Sequence, residues 1–177
     1  SDLSALGLGM GGALSAQATV QDDETGAQVF SLDGTATDLA LRQAGAERAL
    51  QGETRFTAAG KLKSGVVTLD SARIDNPKLR ADASGVYGPD QTDLTAQLDA
   101  SDLSFLGGGA GGALKANAAI TDAPEGRVFD ITGTAQGLRI GNPQADGALA
   151  GETRLAARAV QSGIRYDIQR LTGENPQ

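Results

Sequence analysis

The chain contains no cysteine, no histidine and no tryptophan, and only four phenylalanines and two tyrosines among 177 residues. Without cysteine there are no disulfides, no thiolate-held zinc and no thiol nucleophile. Without histidine the commonest general base and the commonest metal ligand are missing as well. No apolar run approaches the roughly 18 residues of a membrane-spanning helix. The net charge of −7 is spread over interspersed acids and bases; with no basic stripe, no nucleic-acid partner is expected. A cysteine-free chain suits an oxidising compartment. It begins at Ser1 without a methionine and is read as a piece of a longer protein.

What the chain does have is alanine and glycine, the latter at 25 positions and outside the 40% of residues that are hydrophobic. Any core must therefore be built of small side chains. One glycine cluster, GLGMGG at positions 7 to 12, has the Gly-x-Gly-x-x-Gly spacing of a dinucleotide loop. That fingerprint requires a strand before it and a helix after it, because the helix N-terminus receives the pyrophosphate. The cluster belongs instead to an internal repeat. SDLSALGLGMGGAL at Ser1 to Leu14 returns as SDLSFLGGGAGGAL at Ser101 to Leu114, GAQVFSLDGTATDLAL as GRVFDITGTAQGLRI, ALQGETRF as ALAGETRL, and Asn76-Pro77 as Asn175-Pro176. Residues 1–100 form the first unit and 101–177 a second, incomplete one, in one continuous array.

After each glycine run the pattern is period two, as in a half-buried strand. Leu14, Ala16, Ala18 and Val20 alternate with Ser15, Gln17, Thr19 and Gln21, and Leu114, Ala116, Ala118 and Ile120 with Lys115, Asn117, Ala119 and Thr121. With no helix to cradle a phosphate, the glycines are expected at a turn or corner between strands. Phe30 with Leu32, and Phe129 with Ile131, continue the alternation. So do Leu50 to Ala58, Leu149 to Ala157, Leu79 to Tyr87, Leu94 to Ala100 and Ile164 to Ile168. About eleven strands are expected, and the nearest helical candidate is QAGAERALQG at Gln43 to Gly52.

Turn signals fall at Asp22 to Gly26, Lys63 to Gly65, Asn76-Pro77, Gly88 to Asp90, Asp122 to Gly126 and Gly141 to Pro143. Short connections without helices indicate an antiparallel meander. The fold class is all-β: a repetitive antiparallel sheet curled into a groove or stacked as a solenoid.

Inward positions carrying Ala, Gly and Thr bury little area each, at roughly 25 cal/mol per Å². They permit either close sheet-to-sheet packing in a dry core or an open apolar channel. The candidate groove-lining residues are Leu14, Ala16, Ala18, Val20, Phe30, Leu32, Leu50, Phe56, Leu79, Leu94 and Leu98 in the first unit. In the second they are Leu114, Ile120, Phe129, Ile131, Leu149, Leu155, Ile164 and Ile168.

Other chemistry finds no support. Asp22, Asp23 and Glu24 lack the ligand spacing of a calcium loop. No Gly-x-Ser-x-Gly elbow occurs, and no carboxylate pair is singled out for glycoside hydrolysis. Glu53 with Arg55, and Glu152 with Arg154, are outward charge pairs that keep a sheet soluble. Neither an enzyme nor a cofactor or metal site is expected. A structural solenoid or adhesin, or an autotransporter passenger, are the alternatives.

SDLSxLGxGxGGAL, GTAxxL and ALxGETR, within an Ala/Gly-rich β array carrying LRADASGVYG and LTAQLDASDLS, resemble the TamB family of the AsmA-like superfamily. The likeness spans the whole chain and is one of repeat texture, without a catalytic signature. The resemblance implies a long periplasmic protein anchored in the inner membrane, with a taco-like apolar β groove. It also implies phospholipid or outer-membrane protein strands as cargo, and a TamA-like outer-membrane barrel as partner.

Overall fold

A computed structural model describes residues 11–40, 44–89 and 91–175. The first glycine run as far as Met10, Gln43 of the helical candidate, Asp90 of one turn and Pro176 lie outside them. Strand accounts for 72% of the structure and helix for 8%. Ten strands follow one another across a single open, curled sheet in sequence order, each antiparallel to the next. They are β1 (Gly11–Asp22), β2 (Gln28–Ala40), β3 (Glu53–Lys63), β4 (Val66–Asn76), β5 (Leu79–Tyr87) and β6 (Thr92–Ala100), then β7 (Ala110–Ala123), β8 (Gly126–Ile140), β9 (Glu152–Ser162) and β10 (Arg165–Glu174). Among the described residues there are also two short helices, α1 (Ala44–Ala49) and α2 (Pro143–Ala148), and a 3₁₀ turn over Leu103–Leu106. The meander is thus present, with ten strands among the described residues rather than about eleven; the connections expected to lack helices carry α1 and α2, and the turn expected at Gly141 to Pro143 instead opens α2.

The repeat is structural. β1, β2, α1, β3 and β4 recur as β7, β8, α2, β9 and β10, with β5 and β6 between, and β6 pairs with β7 without a break. Even the register recurs: Arg55 opposite Asp75, Phe56 opposite Ile74 and Ala58 opposite Ala72 become Arg154 opposite Glu174, Leu155 opposite Gly173 and Ala157 opposite Leu171.

The glycine run serves this geometry. Pairing slips between Gly11 and Ala13 in β1, and again between Gly111 and Ala113 in β7. At the slip Gly12 has φ +104 and Gly112 has φ +95. A Cβ at Gly12 would sit 2.6 Å from the Asp38 carbonyl oxygen, and one at Gly112 would sit 2.5 Å from that of Gly137. Only glycine fits such a bulge, and a strand follows it, not a helix.

The core is thin. Buried apolar residues are chiefly small, among them Ala27, Ala36, Ala100 and Ala135, and the largest fully buried side chain is Thr153. The accessible surface is 11019 Å², whereas a compact globular chain of this mass exposes about 8,000 Å². Extensive contacts join only neighbouring strands and the helices beside them. Among the described residues no second sheet lies over the first.

Candidate functional site

Cross-strand partners share a face of a sheet, so the register converts the alternation into rows that run across all ten strands. One row reads Val20, Phe30, Gly60, Leu69, Gly85, Leu94, Ile120, Phe129, Ala159, Ile168. Its neighbour reads Ala18, Leu32, Ala58, Ala72, Ala83, Ala96, Ala118, Ile131, Ala157, Leu171. A third reads Ala16, Gly34, Phe56, Ile74, Ala81, Leu98, Ala116, Gly133, Leu155, Gly173. None of the thirty positions is polar. At about 4.8 Å between strands and about 6.8 Å between rows, this band measures roughly 48 by 20 Å. That is near 1,000 Å², beyond the roughly 300–600 Å² of the largest apolar patch on an ordinary monomer.

The band is smoothed from within. The Phe56 ring lies over Gly34, whose added Cβ would meet it at 2.5 Å, and the Phe30 ring lies over Gly60 at 2.9 Å. Each bulky ring is thereby laid onto the missing side chain of the next strand. In the second unit Phe129 packs on Tyr166 instead, ring centroids 6.0 Å apart.

The opposite face is polar. Its central row reads Gln17, Asp33, Thr57, Arg73, Asp82, Gln97, Asn117, Thr132, Ala156, Thr172. Ion pairs such as Arg80–Asp75 at 2.7 Å and Lys115–Asp99 at 3.2 Å cross neighbouring strands. A concavity of about 520 Å³ on this side lies beside the β4 bulge, among Arg73, Asp82, Ser84 and Gln97. Arg73 pairs with Asp82 in its wall, and Asp70, Ser71, Thr95 and Gln97 also line it, so it is a gap between polar side chains and not an apolar seat.

The two rims of the band differ. At one, the row Leu14, Ala36, Thr54 and, continuing past β4, Asn76, Leu79, Ala100, Leu114, Ala135, Thr153 is largely buried where α1, the 3₁₀ turn and α2 pack. Asn76 Nδ2 donates to the Gln51 and Glu53 carbonyls and to Thr54 Oγ1, tying the end of β4 to the start of β3. Asn175 Nδ2 repeats the clamp on the Ala148 and Ala150 carbonyls. Arg48 of α1 donates to the Phe105 and Leu106 carbonyls, joining the first unit to the second. The Asp102 carboxylate caps the 3₁₀ turn, and its hydrogen bonds from the Ser104 hydroxyl and backbone lower its pKa.

At the other rim are the tight hairpins. There the Arg127 guanidinium stands 4.9 Å over the Tyr87 ring and 3.2 Å from Asp122, and its contacts with both raise its pKa. The β1–β2 hairpin is held by Asp23, whose carboxylate accepts from the Thr25 hydroxyl and the Thr25 and Ala27 backbone. Those bonds lower its pKa, led by the Thr25 hydroxyl. The acidic cluster read in the sequence is therefore a turn lock, and no metal-holding group of acids occurs among the described residues.

Of the expected lining residues, Val20, Phe30, Leu32, Phe56, Leu94, Leu98, Ile120, Phe129, Ile131, Leu155 and Ile168 share the band, with Ala16 and Ala18. Leu14, Leu79 and Leu114 belong to the row at the helix-covered rim. Three of the expected residues lie outside the strands. Leu50 and Leu149 follow α1 and α2 and precede the strands, and both are half-buried there. Ile164 sits in the β9–β10 hairpin turn, 96% exposed.

Sequence reasoning also missed the β4 contribution. Val67 and Leu69 are odd-numbered and Ala72 and Ile74 even because an extra residue at Asp70–Ser71 inverts the phase. Among the described residues no helix is long and apolar enough to cross a membrane. No family model, curated protein or solved structure matches the chain.

Proposed function

We propose that this chain is a non-enzymatic segment of a TamB-like periplasmic protein anchored in the inner membrane. Its apolar sheet face carries phospholipid acyl chains between the inner and outer membranes, or holds outer-membrane protein strands during assembly with a TamA-like barrel. One observation carries the reading: three unbroken apolar rows cross ten strands, and no second layer of the described residues lies over them. An acyl chain needs a continuous apolar path and no specific pocket. The rows supply that path, and alanine and glycine in them leave room above the backbone. The polar outer face, with its ion pairs, keeps the same sheet in water.

The structural solenoid or adhesin reading calls for a dry interior, and none is formed by the described residues. A photo-crosslinking amino acid placed at Phe30 or Phe129 of the parent protein in cells should capture phospholipid, while the same group at Gln17 or Arg55 should not. Capture confined to the polar positions, or none at any, would sink the lipid reading.

A further inference from the structure

We infer that the hairpin rim of the apolar band, around Arg127, seats a phospholipid headgroup, its phosphodiester on the guanidinium and its acyl chains laid along the strands. The inference rests on the lipid reading above and adds to it a place and an orientation. The row bordering the band at this rim carries Tyr87 on β5 and, paired in register on β7 to β10, Asp122, Arg127, Gln161 and Tyr166. Both tyrosines of the chain thus stand in one row. In the band and the row on either side of it, Arg127 is the one cation among the described residues. A single cation beside a wide apolar field suits an amphiphile with an anionic head, and tyrosine, with an apolar ring and a polar tip, suits the boundary. The cluster is no copy of the repeat. The matching places in the first unit are Asp22, Gln28, Leu62 and Val67, where only the aspartate is kept.

Arg127 is held ready. It lies 4.9 Å over the Tyr87 ring, its Nε donates to Asp122 at 3.2 Å and its Nη2 to the Gly88 carbonyl at 3.4 Å. Its side chain is still 22% exposed, and the five N–H donors of a guanidinium exceed what these contacts use, leaving donors for phosphate oxygens. A concavity of about 430 Å³ opens beside it, among Asp122, Gln161 and the Pro89 and Gly163 turns. From Arg127 along β8 the same face presents Phe129, Ile131 and Gly133, and ends at Ala135, buried at the opposite rim. These three rows, roughly 20 Å, cover the acyl depth of one leaflet, about half of a hydrocarbon core of roughly 30 Å. Because only the hairpin rim offers a cation to the head, the lipid is oriented one way across the band.

The test titrates the isotope-labelled full chain with myristoyl lysophosphatidylglycerol below its micelle concentration, and with monomyristoyl glycerol, which has the same acyl chain and no phosphate. A nitroxide on the phospholipid head should broaden the amide resonances of Tyr87 and Arg127, and one at the acyl end those of Gly133 and Ala135. Arg127→Gln should weaken the phospholipid about tenfold, the loss of a charged hydrogen-bonding partner, and leave monomyristoyl glycerol unchanged. Arg127→Lys, which keeps the charge, should lose less. The amide spectrum of each variant reports an intact sheet, and the head and tail broadening decides the orientation in the unaltered chain. Undiminished phospholipid binding by a folded Arg127→Gln chain would overturn the headgroup seat and leave the lipid reading standing. So would head and tail probes that broaden the same residues, or inorganic phosphate bound as tightly as the lipid. Binding of neither lipid would sink the lipid reading and this inference together.

Discussion

At the scale of single residues, the polar side chains buried in this sheet are clamps. Asn76 satisfies two carbonyls and a hydroxyl at the β3–β4 junction. Asn76→Ala removes these bonds, among them the buried one to the Thr54 hydroxyl, which costs about 1–3 kcal/mol, and a lowered denaturant midpoint with an unchanged slope checks it. Gly112→Ala forces a Cβ to within 2.5 Å of the Gly137 carbonyl oxygen at φ +95. Gly108, in the same run at φ +64, has nothing within 4 Å of that position. Gly112→Ala should therefore destabilise by more than the roughly 1 kcal/mol expected for Gly108→Ala, a contrast read by thermal melts of the two variants. That a glycine run preceded a strand was legible from the alternation after it. Which glycine occupied the bulge was not, because that depends on which residue of β8 lies opposite.

At the scale of elements, the hairpins were readable and the helices only in part. Turn chemistry at Lys63 to Gly65, Asn76-Pro77 and Gly88-Pro89 placed the connections correctly, since glycine, asparagine and proline impose backbone geometry locally. α1 falls within the one segment singled out as helical. α2 was read as a turn, although Asn142 caps it by accepting from the Gln144 and Ala145 backbone and Pro143 follows; an N-cap with proline next is a helix start. β4 escaped because a bulge reverses its phase, and no local signal marks an extra residue.

The 3₁₀ turn carries a pH prediction. Hydrogen bonding from Ser104 depresses the Asp102 pKa, so its cap is intact above the ordinary carboxylate range and is lost as pH falls through the lowered value. The Ser104 amide resonance should report this loss, and Asp102→Asn should abolish the titration. Arg48→Ala removes two exposed hydrogen bonds between α1 and the turn, costing about 0.5–1 kcal/mol; faster hydrogen exchange at Gly107, without global unfolding, is the expected sign.

At the scale of the whole molecule, alternation, repeat and the all-β class were legible because each depends on period two and on self-similarity. The continuity of the rows was not, since it requires the registers of nine strand pairs. The sequence also left a dry core and an open face equally allowed; among the described residues the sheet is a single open layer. An unroofed band tolerates a charge that a closed core would not. Ala83→Lys, at the middle of the alanine row, should cost under about 1 kcal/mol, compared with several for an unpaired charge in a sealed interior.

The most direct measurement is the reaction of a water-soluble maleimide with a single cysteine introduced by Ala83→Cys in the folded, lipid-free chain. If the apolar face is open, the rate should lie within about tenfold of that in denaturant. Protection by several orders of magnitude, as in a sealed core that reacts only on global unfolding, would contradict it.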